Sequence, residues 1–483
     1  MEGITQASAR STYHRMACER EQTPRLSAQV FTVPLDSGRY IVYAPLRRAA
    51  FVAIPRVVNF LADLAAGFYD VAADPDGSLA EFLRRLEILD AGPEALPVTT
   101  FGGDPEPTAV TLFLTTACNL RCTYCYASAG DTPTKFMELE VTKRGIDFVS
   151  ANAAKKALAS FEVAYHGGGE PSVNWHIMTE SFAYARERAA ALGIEVLGAA
   201  ATNGVLNDTQ FDWMVAHLQG VSLSFDGLPA VHDRHRIMIN GGGSSARVMR
   251  TLRRFNDARF RYGLRLTVTL DQIPFLPDSI EFICKNFSPE RIQVEPAYQL
   301  GRWTEAPSAE TTDFIEAYRE AQRRAQAYGR DITYSAARLD TLTNHFCGIT
   351  QDNFCLTPDG NVSACYETFS EQNAWAKVFF YGEPDAENGY NFDRTALDRL
   401  RRQGVENRPY CEGCFAKWHC AGDCHHKSLS VNGEGEFAGS DRCHITRELT
   451  KDQILARIAA TGGWFWHEPP QEHAPAQGKE VLR

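Results

Sequence analysis

Ala109-Val-Thr-Leu-Phe-Leu-Thr-Thr-Ala-Cys-Asn-Leu-Arg-Cys-Thr-Tyr-Cys-Tyr126 is the stretch that decides the fold. Its first part, Ala109–Leu114, is a short apolar run that reads as a buried strand. Its second part spaces Cys118, Cys122 and Cys125 as C-x3-C-x2-C. Four-iron clusters are usually held by four cysteines, so a loop offering three leaves one iron free to bind something else. The C-terminal mouth of a parallel strand is also where α/β enzymes place their chemistry. A thioredoxin-like pair from Cys122 and Cys125, or a zinc site, is the blander reading. A C-x2-C alone would not separate these. The third cysteine upstream, directly after a strand, favours the cluster.

Working outward, strand signals recur at Ala109–Leu114, Ser160–Tyr165, Glu195–Ala201, Val221–Phe225, Leu264–Leu270 and Arg291–Glu295, with helix signals between them. Val248, Leu252 and Phe255 share one helical face. Six βα units in a row predict a parallel sheet. An eight-stranded barrel needs about 250 residues, more than this segment has. The expected class is therefore α/β, its centre six βα units in a parallel sheet, open or rolled into a partial (β/α)6 TIM-like barrel.

The flanks differ from this centre. Residues 1–28 are polar and read as a loose arm. Val30–Val33 and Tyr40–Tyr43 read as strands around an Asp36-Ser-Gly turn, and Val57–Leu64 and Leu79–Leu86 as helices. This order predicts a small α+β module, joined by a Gly- and Pro-containing linker between Asp90 and Pro107. Ser308–Gly329 reads as a long helix. Beyond Cys347 the periodicity fades, and metal is expected to replace core burial as the organiser. Glu468–Arg483 is polar and expected to fray. The domains read as 1–105, 106–345, 346–450 and a tail at 451–483.

The chain has 483 residues, 44% hydrophobic and 23% charged, which suits two or three globular domains. A net charge of -11 argues against a nucleic-acid partner. No apolar stretch approaches the roughly 20 residues of a membrane span. The N-terminus lacks a signal-peptide pattern, so a cytoplasmic location is expected. In that compartment thirteen cysteines imply metal or redox work rather than disulfides. Three sit at 118–125 and eight between 347 and 443; Cys18 and Cys284 stand alone and read as small buried hydrophobes.

A second motif, His166-Gly-Gly-Gly-Glu-Pro171, follows the second strand. Its glycines allow a ligand close to the backbone, and Glu170 offers a carboxylate to an amine. Together with the cysteine loop it resembles the radical S-adenosylmethionine (SAM) superfamily. The resemblance extends to Thr202-Asn-Gly204 and to Ser222-Leu-Ser-Phe-Asp-Gly-Leu-Pro-Ala-Val-His-Asp-Arg-His-Arg236, which looks like a stretch of the peptide-modifying branch. It implies a cluster on Cys118, Cys122 and Cys125 whose open iron takes the amine and carboxylate of SAM. It further implies SAM contacts from Gly168, Gly169, Glu170, Ser224 and Arg236. Ser224 and Arg236 also have bland readings, a turn residue and a surface base.

The C-terminal cysteines run Cys347-x7-Cys355-x9-Cys365, then Cys411-x2-Cys414-x5-Cys420-x3-Cys424-x18-Cys443. Taken alone, eight cysteines could hold two structural zincs. The spacing resembles the SPASM domain of radical maturases, which implies two auxiliary [4Fe–4S] clusters, three in all. Cys347, Cys355, Cys365 and Cys424 would hold one, and Cys411, Cys414, Cys420 and Cys443 the other, with Cys355 the most variable element of that pattern. Sulfatase maturases of this branch carry an Asp after the cysteine corresponding to Cys365. Here Tyr366 stands there, followed by Glu367; both are catalytic candidates, Glu367 for related proton work, and the bland reading of Glu367 is a solvated surface group. The N-terminal module resembles the winged-helix element of peptide maturases, where a leader peptide adds to a sheet edge. The reading is a radical maturase forming a thioether or carbon–carbon cross-link in a peptide or small protein, with flavodoxin or ferredoxin as reductant. Its rivals are formylglycine-type oxidation and, outside enzymes, a zinc-stabilised scaffold.

Overall fold

The computed structural model describes residues 24–69, 71–131, 133–303, 311–387 and 389–468. Most of the arm read at 1–28, including Cys18, and nearly all of the tail read at Glu468–Arg483 lie outside the described residues. Contacts divide the chain into two units, 1–95 with 461–470 and 96–460 with 471–483.

The first unit opens with β1 (Phe31–Pro34), β2 (Tyr40–Ala44) and β3 (Ala49–Ala53), paired antiparallel in that order. Gly38 turns the first hairpin at φ +71°. The third strand was not among the sequence expectations. Ala49-Ala-Phe-Val-Ala53 is alanine-rich, and alanine is a poor strand former, so only its pairing makes it a strand. Two helices follow, α1 (Pro55–Ala65) and α2 (Ser78–Arg85). Proline suits the first turn of α1, where its missing N–H costs no bond. Phe51, Phe60, Leu61, Leu64, Leu83 and Leu86 form the core.

The second unit alternates as the sequence predicts: β4 (Ala109–Phe113), α3 (Leu139–Lys155), β5 (Ser160–His166), α4 (Trp175–Leu192), β6 (Glu195–Thr202) and α5 (Asp208–His217). It continues through β7 (Gly220–Ser224), α6 (Pro229–His235), α7 (Ser245–Asp257), β8 (Tyr262–Val268), α8 (Leu276–Asn286), β9 (Arg291–Pro296) and α9 (Thr311–Ala327). Strands β4 to β9 lie side by side, each parallel to the next.

The sheet is larger than these six strands. A two-residue β10 (Ile332–Thr333) extends it beyond β9. At the other edge β11 (Cys355–Leu356) pairs parallel with β4, and β12 (Val362–Ser363), β13 (Phe380–Pro384) and β14 (Tyr390–Phe392) continue antiparallel. The eleven strands form one open sheet. The cysteine-rich segment is thus built onto the sheet, and Leu356, Val362, Ala364, Phe379 and Tyr381 belong to the main core. The expectation that core burial ends at Cys347 is corrected here. These strands are too short to show a period, but they bury apolar side chains.

Short helices α10 (Ala376–Phe379) and α11 (Arg394–Arg401) follow; then α12 (Lys417–Cys420) ends on Cys420 and α13 (His425–Asn432) starts directly after Cys424. The longer α14 (Asp441–Ala460) follows, and β15 (Phe465–His467) pairs with β3 in the first unit.

Alternation along the strands positions the site. Leu264 and Leu266 of β8 share a core with Leu252 and Phe255 of α7 and Ile280 and Ile283 of α8. Arg265 and Thr267 therefore face the other side of the sheet, Arg265 beside Ser224 and Thr267 beside Glu295. Truncating the wholly buried Leu252 to Ala should cost about 2–5 kcal/mol, read as a lower denaturant midpoint at unchanged slope.

Candidate active site

The three-cysteine loop begins where β4 ends, and the chain holds it from several directions. Arg121 donates from its backbone to Ile237 O at 2.6 Å, and Thr123 to His235 O at 2.9 Å. The Arg121 guanidinium returns to Cys118 O and Leu120 O at 2.9 and 2.8 Å. Arg302 donates to Cys122 O at 2.9 Å and to Asp131 at 2.6 Å. Leu120 N–H points at the Cys118 sulfur at 3.4 Å, as does the Asn203 amide at 3.8 Å. Such donors stabilise sulfur that carries charge.

The glycine turn lies against this loop. Gly169 N–H donates to Thr115 O and Glu170 N–H to Ala117 O, both at 2.9 Å. A methyl at 169 would stand 1.9 Å from Ala117 O, and one at 168 would stand 2.2 Å from the Phe369 ring. Only glycine allows this approach. Glu170 is buried, and its carboxylate accepts from Asn203 N at 2.7 Å, Thr202 Oγ1 at 2.9 Å and Ser172 N at 3.2 Å. Burial pushes its carboxyl up, against those hydrogen bonds. Four lone-pair positions less three donors leave Glu170 capacity for one more.

Ser224, the last residue of β7, is half-buried. Arg236 is buried rather than on the surface, paired with the buried Asp226 at 3.0 Å and lying over the Tyr124 ring at 5.2 Å. Tyr124 also donates to Asp226. Arg236 therefore braces the cysteine loop through the residue before Cys125.

The chemistry of the donors fits a cationic cluster. Burial pushes the Cys118 thiol up to about 12, helped by Glu170, and the Cys122 thiol up to about 11. Thiols gathered in such a place become thiolates only against positive charge such as iron.

The later cysteines form two groups. Cys411, Cys414, Cys420 and Cys443 line one cleft with Tyr410 and Arg447. Cys347, Cys355, Cys365 and Cys424 lie near enough that ionisation of one opposes the next. Cys355 is fully buried beside Phe113 and Phe369, and its sulfur takes a bond from the Asn353 amide at 3.1 Å. All described cysteines are free thiols, and Cys284 is buried in the core. Among the described residues no group of three or more His, Cys, Asp or Glu side chains is arranged to hold a single metal ion. A zinc site needs its donors converged at about 2.3 Å from one point. A four-iron cluster takes one thiolate per iron and needs them spread around it.

Tyr366 and Glu367 follow Cys365 directly in the chain. The Tyr366 ring lies 5.2 Å from that of His166, at the end of β5. Glu367 donates its backbone N–H to the Cys365 sulfur at 3.4 Å, and its carboxylate lies 3.4 Å from His426 Nδ1. Burial opposes its charge, but Lys427, His426, Arg265 and Arg442 outweigh burial and hold the carboxyl below its usual range. Glu367 is therefore not a solvated surface acid.

Sequence reading missed three groups. Arg265 projects from β8 on the side away from the helices, and its charge bears on His166, Glu295 and Glu367. Burial, aided by Arg265, brings His166 down to about 4, so its ring is neutral near pH 7. The third is a buried network. Arg442 bonds Asp423 at 2.7 and 3.0 Å and Glu295 of β9 at 3.2 Å. Each partner had a visible signal, since Asp423 precedes Cys424 and Arg442 precedes Cys443. Only the fold joins them.

The comparisons agree with this geometry. Residues 112–281 match the family model described as the Radical SAM superfamily. The chain carries a radical SAM domain, the class that holds a [4Fe–4S] cluster and SAM. It is 26% identical to the sporulation killing factor maturation protein SkfB of Bacillus subtilis over 264 residues, 54% of this chain and 60% of that one. It is 22% identical to the serine-type anaerobic sulfatase-maturating enzyme of Klebsiella aerogenes over 339 residues, 67% of this chain and 80% of that one. Three other curated relatives are matched over 57%, 41% and 33% of their lengths. Among solved structures, histidine-tagged anSMEcpe with bound AdoMet shares the fold, with a TM-score of 0.60 at 16% identity over 74% of this chain and 96% of that one.

Two outcomes are expected. Gly169→Ala should weaken SAM binding by at least about tenfold, worth about 1.4 kcal/mol, as read by calorimetry on reconstituted protein. Arg442→Met should cost about 3–5 kcal/mol in denaturant melts, because it leaves Asp423 and Glu295 buried without their counter-charge.

Proposed function

We propose that the protein is a radical SAM maturase that abstracts hydrogen from a side chain of a peptide or small protein and closes a thioether or carbon–carbon cross-link. The observation that carries this reading is the three-cysteine loop pinned to the Glu170 turn by two backbone hydrogen bonds. Names among the relatives point the same way, since both SkfB and the sulfatase-maturating enzyme are maturation proteins.

In this reading Cys118, Cys122 and Cys125 hold the first cluster, and Gly168, Gly169 and Glu170 receive the methionine end of SAM. Ser224 faces its ribose, and Arg236 supports the loop. Two auxiliary clusters are held by Cys347, Cys355, Cys365 and Cys424, and by Cys411, Cys414, Cys420 and Cys443. When bound, the cofactors supply a 5′-deoxyadenosyl radical that takes one hydrogen atom, and an acceptor for the electron left behind. Glu367, kept ionised by its cationic neighbours, takes the accompanying proton, while Tyr366 and neutral His166 shape the peptide pocket. The module within 1–105 serves peptide recognition, 106–345 is the radical core and 346–450 the auxiliary domain. Flavodoxin or ferredoxin would supply the electron. Among the described residues no helix is long and apolar enough to cross a membrane, and we place the enzyme in the cytoplasm.

A second reading, formylglycine-type oxidation, is favoured by the placement of Glu367 beside Cys365 and His426. Product mass separates the two, since formylglycine made from cysteine loses sulfur.

Anaerobically reconstituted protein should carry on the order of twelve irons per chain. With SAM and reductant it should release 5′-deoxyadenosine. Replacing Cys118, Cys122 and Cys125 by Ala should abolish that release yet leave the auxiliary iron. Colourless protein carrying zinc, or cleavage that survives the triple replacement, would overturn the assignment.

A further inference from the structure

The stretch from Ser222 to Arg236 holds more buried polar side chains than the site described above uses. His232 is wholly buried, as is Ser244 beyond it, and Asp226 and Arg236 are nearly so. Polar groups gathered in a buried place need hydrogen-bond partners. These four find them in one another, in a closed ring.

Asp226, just past β7, donates its backbone N–H to His232 Nδ1 at 3.2 Å. That bond assigns Nδ1 as the acceptor and puts the imidazole proton on Nε2. Nε2 then donates to Ser244 Oγ at 2.9 Å. The Ser244 hydroxyl donates in turn to Arg236 O at 2.6 Å. The Arg236 guanidinium closes the ring on the Asp226 carboxylate at 3.0 and 3.4 Å. Burial brings His232 down to about 4, so near pH 7 its imidazole carries the single proton this pattern needs.

The ring ties β7, α6 and the start of α7 to the strap that runs from Arg236 to Gly243. The strap lies along the cysteine loop. Leu120 and Met238 form an antiparallel bridge, and Ile239 N–H donates to Asn119 O at 3.2 Å, beside the Arg121 bond to Ile237 O. Tyr124 meets the ring of bonds twice, by its hydroxyl on Asp226 and by its face under Arg236. The loop between Cys118 and Cys125 is thus held from the strap on one side and from Asp226 and Arg236 below. Among the described residues, the side-chain bonds of these four residues run to groups between Tyr124 and Thr267, none to the cysteine-rich segment.

We propose that His232 is a positioning residue for the radical reaction: by bonding Asp226 through one nitrogen and Ser244 through the other, it fixes the strap against the three-cysteine loop and so governs loading of the first cluster and reception of SAM. The inference rests on the assignment of that cluster to Cys118, Cys122 and Cys125. Shape alone does not meet this need. The Phe225 ring, 5.0 Å from that of His232, would pack as well on any flat ring of the same size. The ring of bonds instead requires an acceptor and a donor on one planar group.

Two replacements separate these requirements. His232→Phe keeps the flat ring and loses both polar atoms. His232→Gln loses the ring and keeps an acceptor and a donor on one plane. Full-length protein is reconstituted anaerobically, its iron is counted, and SAM is titrated in by calorimetry. The unaltered chain should carry about twelve irons, and His232→Phe should fall toward about eight as the first cluster alone is lost. His232→Phe should also bind SAM at least about tenfold more weakly, while His232→Gln keeps its iron and stays within about threefold of the unaltered affinity. A role in packing alone predicts the reverse order. Full iron and unchanged affinity in His232→Phe, even loss from all three clusters, or a His232→Gln chain no better than His232→Phe each overturn the proposal.

Should His232→Phe fail to fold, Ser244→Ala decides, since it removes the next link of the ring by a single oxygen. It should show the same selective loss of iron and the same weakened SAM binding. Full iron with unchanged SAM affinity in Ser244→Ala would end the proposal. None of these readouts needs a peptide or turnover, so their failure is separate from failure of the maturase reading, which SAM cleavage and peptide mass test. Failure of the cluster assignment itself would show in the triple cysteine replacement.

Discussion

Two backbone hydrogen bonds, Gly169 N–H to Thr115 O and Glu170 N–H to Ala117 O, hold the glycine turn against the cysteine loop. They join the mouths of β4 and β5, neighbouring parallel strands. They can form only because position 169 has no side chain, since a methyl there would overlap Ala117 O. Everything at the site takes its place from that seam. It brings the Glu170 carboxylate near enough for its charge to help push up the Cys118 thiol. The donors from Ser172, Thr202 and Asn203 fix that carboxylate in turn, and Thr202 and Asn203 bring the end of β6 into the same arrangement.

A second constraint ties the cysteine-rich segment to the same sheet. β11 pairs with β4, so Cys355 lies one strand from the first loop. Arg442 draws Asp423 and Glu295 together, joining the Cys424 turn and the cysteine-bearing start of α14 to β9. Burial opposes the charge on Glu295, yet Arg442 and Lys427 bring its carboxyl down to about 2, so the network stays ionised across the neutral range. Removing either partner exposes a buried charge, which is why the network matters more for geometry than for net stability.

The six central strands were legible in the sequence because they are short stretches of apolar side chains, several alternating with polar ones, bounded by polar turns, and the helices bury one face of the sheet. The site motifs were legible because cysteine spacing and consecutive glycines mark tight loops. What escaped has physical reasons. β3 is alanine-rich and becomes a strand only through its neighbours. β15 is three residues of an apparent tail whose partner lies more than 400 residues earlier. β11 and β12 are two residues each, too short for a period. Arg265 belongs to no motif in the sequence, and only the alternation of β8 turns it away from the helices. Glu367 read more readily as a solvated group, because nothing local shows that Lys427 and His426 will surround it.

In the function proposed above, Cys118, Cys122 and Cys125 would hold a cluster beside Glu170, and SAM would meet it through its methionine amine. Electron–nuclear double resonance on the reduced protein, with SAM carrying nitrogen-15 at its methionine amine, tests this most directly. The account predicts a nitrogen coupling to the reduced cluster that disappears when the three cysteines are replaced by Ala. A reduced cluster that shows no such coupling at saturating SAM would contradict it.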